Sequence, residues 1–181
     1  RLDVLKYLSV NFDIKEEEFQ KTSASELTER LYKEVRETFT RKVEGISKQA
    51  FPVIKNVFEQ RGEMFKNIVV PFTDGKKMYN VVTNLEKAYK TEGEELVRAY
   101  EKSIMLAHID DAWKEHLREM DDLKQSVQNA TYEQKDPLLI YKFESFNLFK
   151  TMVDKINKSV VSTLMKGQIP FEAPEEVRQA E

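Results

Sequence analysis

Cysteine is absent from this 181-residue chain, which rules out disulfides and metal held by thiolates. Glycine is scarce, and Gly45, Gly62, Gly75, Gly93 and Gly167 each stand alone. Neither a phosphate-cradling loop nor a dinucleotide fingerprint can be assembled from isolated glycines, because both need several within one tight turn. Histidine occurs only as His108 and His116, eight positions apart. Neighbouring metal ligands on a helix stand three or four apart, so the expectation is no metal site, with His116 partly buried in a helical stripe and His108 solvated. No stretch approaches the 18 apolar residues of a membrane-crossing helix. The net charge is only −3, which gives the whole chain no attraction for nucleic acid. The chain opens on Arg1 with no signal peptide, and both ends read as the middle of something longer, so a piece of a larger protein is expected.

Charge and helical period are abundant. Charged residues make up 34% of the chain and apolar ones 40%, the composition of an ordered, helix-rich protein. Leu106, Ile109, Trp113, His116, Met120, Leu123 and Val127 recur at spacings of three and four. So do Leu139, Phe143, Phe146, Phe149, Val153, Ile156, Val160 and Leu164. Each series predicts a long helix with one apolar stripe. The polar link from Asn129 to Pro137 is short enough to fold them back as an antiparallel hairpin, with Asp136 capping the second helix and Gly167 ending it.

Ahead of this pair, residues 2–9 predict a short helix and Asn11–Ile14 an extended stretch. Ser23 and Glu26 have capping-box spacing before the stripe Leu27, Leu31, Val35, Phe39, Val43 and Ile46. Pro52 either opens a new helix or kinks a continuous one. Ile68-Val69-Val70, the Asp74-Gly75 turn and Met78–Val82 predict a β-hairpin, with Pro71 at an edge. The expected fold is mainly α. A helical lobe with a small β-hairpin spans 1–93, a long antiparallel two-helix hairpin spans 94–168, and 169–181 is a linker or disordered tail with four glutamates against one arginine.

The chemistry-bearing residues read modestly. Asp110-Asp111 and Asp121-Asp122 have basic residues three or four positions away, the spacing of surface ion pairs rather than of a general acid with a raised pKa. Trp113 reads as a side chain at the helix–helix seam that also docks on a neighbouring element. Lys142, Lys150, Lys155, Lys158 and Lys166 give the second helix a mildly basic side, suited to anionic lipid or an acidic partner, or simply solvated. Tyr132 is an aromatic in the polar link, either a cap on the hairpin end or a contact residue.

Across residues 96–168 the order Ile104-Met105-Leu106, Ile109-Asp110, Trp113-Lys114-Glu115-His116-Leu117, Met120-Asp121, Leu123-Lys124, Tyr132, Gln134-Lys135-Asp136-Pro137, Tyr141-Lys142, Glu144-Ser145-Phe146 and Phe149 closely resembles the two-helix finger of the SecA preprotein translocase family. Residues 1–93 are similar to that family's helical wing domain, with a longer segment at 67–83. The resemblance implies a fragment of an ATP-driven bacterial motor that moves unfolded preproteins through the SecYEG channel. ATP and Mg would be held by motor domains not contained here, so the fragment itself is expected to hold no cofactor or catalytic residue.

It further implies a substrate-contacting tip at Tyr132, with Thr131, Gln134 and Lys135. The hairpin seam and docking surface would comprise Trp113, His116, Leu117, Met120, Leu123, Phe143, Phe146, Phe149 and Val153. Implied partners are SecYEG, the unfolded preprotein, the parent's own motor domains, anionic inner-membrane lipid and a second copy, with no nucleic acid. The implied location is the cytoplasm and the cytoplasmic face of the inner membrane. The chain departs from the family pattern in carrying Asn129-Ala130-Thr131 where Leu-Arg-Gly is common, Ile140 where glutamate is frequent and Phe143 where arginine is. A free-standing helical adaptor, satisfied by homodimerisation, is the alternative reading.

Overall fold

The computed structural model describes residues 2–129 and 136–170. The elements are α1 (Leu2–Leu8), α2 (Glu16–Lys21), α3 (Ala24–Arg61), β1 (Asn67–Thr73), β2 (Met78–Asn84), α4 (Leu85–Lys90), α5 (Glu94–Asn129) and α6 (Pro137–Lys166). The fold is therefore mainly α with one small antiparallel hairpin. Residues 11–14 form no strand, and the short helix α2 follows them. At six residues it carries too little of an apolar stripe to be seen by period. Two compact units emerge. One contains the chain up to Ile104 together with the stretch from Val161 on; the other is Met105–Val160.

In the first unit, α3 starts where Ser23 Oγ accepts the Glu26 amide at 3.2 Å. The helix then runs unbroken through Pro52. Proline removes one backbone donor, but Ile46, Ala50 and Ile54 continue a single buried stripe past it, so packing holds the helix together. The hairpin pairs Asn67 with Asn84 through Thr73 with Met78. Its turn is closed by Asp74 Oδ1, which accepts from the amides of Lys76 at 2.9 Å and Lys77 at 2.8 Å. Partial burial pulls the Asp74 carboxyl pKa upward, but the Lys77 and Lys76 amides outweigh it and the pKa is lowered.

Two strands alone are marginal in water, and here they are built into the core. Ile68, Phe72, Val81 and Leu85 are buried with Ile46, Ile54, Ala88, Leu96, Tyr100 and Ile104. Phe72 stacks on Tyr100 with ring centres 4.3 Å apart. Gly93, at φ +94°, lets the entry to α5 approach α3 so closely that a Cβ would meet the Ser47 carbonyl oxygen at 3.0 Å. The root of α5 thus belongs to this core, which is why the division between units falls at Ile104 rather than at the 93/94 boundary expected from the pattern.

The end of α6 is fastened to the same unit. Tyr100 donates its buried hydroxyl to the Thr163 carbonyl at 3.1 Å. Lys42 on α3 donates to the Met165 carbonyl at 2.5 Å. Thr73 and Gln168 exchange backbone hydrogen bonds of 2.8 and 2.9 Å, which covers one end of the outer edge of β1.

Candidate interaction surface

The second unit is built from α5 beyond Ile104 and α6 as far as Val160. Asp136 accepts the Leu138 amide at 2.9 Å, with Pro137 at the first helical position, so α6 starts as its cap residues dictate. The helices run antiparallel: Glu115 pairs with Lys155, and the His116 ring meets Phe149.

The buried line differs from the one the apolar period picks out. On α5 it contains Ala112 and His116, with Met120, Leu123 and Val127 half-buried. On α6 it contains Met152 and Val160, with Tyr141, Ser145, Leu148, Val153 and Ile156 half-buried. Of the residues expected to form the seam and docking surface, Trp113, Leu117, Phe143, Phe146 and Phe149 are exposed, while His116 is buried and Met120, Leu123 and Val153 are half-buried. Trp113 is 46% exposed, and Phe143 and Phe146 are each 65% exposed. Small or flexible side chains such as Ala112, Ser145 and Met152 share that line with His116 and Val160, while the rings of Trp113, Phe143 and Phe146 are turned out. Leu106, Ile109 and Leu139 are exposed as well.

His116 joins the buried line to the exposed one. Its ring lies 5.7 Å from that of Trp113 and 6.1 Å from that of Phe149, so aromatics from both helices flank one buried imidazole. Its Nδ1 has no hydrogen-bond partner among the described residues.

The charged residues are spent on the surface. Lys114 donates to Asp110 at 2.5 Å, and Lys155 binds Glu115 across the helix pair. Hydrogen bonding and charge from Lys155 hold the Glu115 carboxyl below its usual value, while Asp110 raises Lys114. Among the described residues no three acidic or histidine side chains stand close enough to hold a metal, and no helix is long and apolar enough to cross a membrane. Tyr132, Thr131, Gln134 and Lys135, the expected tip, lie outside the described residues.

Fold and surface together define a helical scaffold that exposes large apolar side chains on both members of a helix pair. A sequence profile of the SecA wing and scaffold domain matches residues 3–168, and the chain belongs to that family. It is 51% identical over 180 residues to the protein translocase subunit SecA of Phocaeicola vulgatus, covering 99% of this chain and 16% of that protein. It is 54% identical over 168 residues to the SecA subunit of Flavobacterium psychrophilum, covering 93% and 15%. The SecA subunit of Porphyromonas gingivalis is 46% identical over 173 residues, covering 95% and 16%. The chain thus spans about one sixth of the length of these curated relatives. No solved structure matches it.

Proposed function

We propose that this chain is the force-transmitting arm of an ATP-driven protein translocase. Its helix pair docks on the motor domains of the parent through these exposed apolar side chains. Its tip, around Tyr132 with Thr131, Gln134 and Lys135, touches the moving polypeptide at the mouth of the SecYEG channel. ATP and Mg are held by the motor domains, and the parent works at the cytoplasmic face of the inner membrane, with anionic lipid on the lysine side of α6.

The observation that carries this reading is the exposure of Trp113, Leu117, Phe143, Phe146 and Phe149. A helix pair that turns five large apolar side chains to solvent has an unfilled contact. An arm must be fixed at its base to transmit motion. The bonds from Tyr100 and Lys42 to the end of α6 supply that fixation within the first unit.

The test is the double substitution Phe143→Ser with Phe146→Ser. Both rings are mostly exposed, so the isolated chain should keep its stability to within about 0.5 kcal/mol. In the full-length parent the same pair should reduce preprotein transport at least tenfold. Unchanged transport would remove the docking role.

A further inference from the structure

We infer that the outer edge of β2 is a docking site for an extended, unfolded polypeptide, which joins the hairpin as a third strand. The register fixes which backbone groups are available. Leu85 donates to the Lys66 carbonyl at 3.0 Å and Asp74 to the Lys77 carbonyl at 3.4 Å, so the odd-numbered residues of β2 face β1. In an antiparallel pair the alternate residues then point their N–H and C=O groups the other way. Those residues are Met78, Asn80 and Val82. Their amides and carbonyls have no partner on that side among the described residues.

The two edges of the hairpin are treated differently. On β1, Pro71 offers no N–H and Thr73 is already paired with Gln168. Proline and a covering segment are the usual protections of an exposed edge. On β2, Met78-Tyr79-Asn80-Val81-Val82-Thr83-Asn84 contains no charge, proline or glycine. Met78 is 59% and Val82 47% exposed on the solvent face of that strand, where they can meet every second side chain of an added strand.

An open row of donors and acceptors is complementary to another strand and to little else. A second copy laid edge to edge would bury two seven-residue strands with few apolar side chains between them, well short of the ~1,200 Å² typical of a stable dimer. An unfolded polypeptide satisfies the same groups with its backbone and needs no particular sequence. The choice of occupant rests on the translocase reading above; the open edge does not, and β2 contains none of the tip residues.

The test is amide hydrogen exchange on the isotope-labelled 181-residue chain, with and without reduced, carboxymethylated α-lactalbumin as a permanently unfolded probe. Exchange at Asn80 and Val82 should slow at least tenfold with saturating probe, while Tyr79 and Val81, already in the ladder, change little. Val82→Lys should weaken probe binding at least tenfold. Asn80→Pro should do the same, since it removes a donor the hairpin does not use. Tyr132→Ala should leave the slowing intact, so failure at the tip and failure at the edge are distinguishable. Absence of slowing at Asn80 and Val82 would overturn the inference. Slowing that follows chain concentration without probe would also overturn it, in favour of a second copy.

Discussion

Tyr100 sets the stability of the junction between α5 and the end of α6. Its ring stacks on Phe72, its hydroxyl is bonded to the Thr163 carbonyl, and burial pushes the phenol pKa upward. Tyr100→Phe removes one of the donors to that carbonyl, which keeps the Gly167 amide at 2.8 Å, and should cost about 1 kcal/mol in denaturant unfolding. Gly167→Ala should cost more, about 1–3 kcal/mol, because a Cβ there would lie 1.8 Å from the Tyr100 hydroxyl oxygen and force it away. Equal stability of the parent and Gly167→Ala would contradict this packing. Lys42 gives a pH signature. Burial lowers its ammonium from 10.5 to about 8. Between those two values the folded chain holds fewer protons than the unfolded chain, so its contribution to stability rises with pH across that window and is constant below it. Comparing unfolding of the parent and Lys42→Met at pH 7 and pH 10 should show the parent gaining relative to the variant; no relative gain would contradict the burial of this amine.

At the scale of elements, α3 and the helix pair show what a pattern can and cannot report. Pro52 is exposed, and it removes one hydrogen-bond donor and crowds the carbonyl one turn before it in a helix that continues past it. Pro52→Ala should therefore stabilise the chain by about 2 kcal/mol, read as a higher unfolding midpoint. A lower midpoint would mean that the proline fixes a bend the core needs. Whether α3 continued through Pro52 could not be read from local sequence, because the deciding term is burial of Ile46, Ala50 and Ile54 against distant residues. The caps at Ser23 and Asp136, the hairpin turn at Asp74-Gly75 and the ends of α5 and α6 were all legible, because each rests on local hydrogen bonding. The buried line of the helix pair was legible in part: His116, Met120, Leu123, Val127, Val153, Ile156 and Val160 lie in it as the period predicts. Apolar period finds the most hydrophobic side of a helix, and here part of that side, with Phe143, Phe146 and Trp113, is turned out while Ala112, Ser145 and Met152 face in. Exposed aromatics at helical spacing read in sequence like a core. The depth of the hairpin in the core was hidden for the same reason, since Phe72 meets Tyr100 across 28 positions of sequence.

At the scale of the whole molecule, the first unit has a continuous core and the second has a thin one with large side chains outside. This asymmetry suits a lobe that anchors and a helix pair that makes contacts elsewhere, as the translocase reading requires. Because this chain spans about one sixth of the length of its curated relatives, the decisive test belongs in the full-length translocase that the reading proposes. A photocrosslinker at position 132 of the full-length protein, examined during ATP-driven transport of a stalled precursor, addresses the central claim most directly. The account predicts adducts with the precursor that depend on ATP. Adducts confined to the protein itself, with transport intact in Tyr132→Ala, would contradict it.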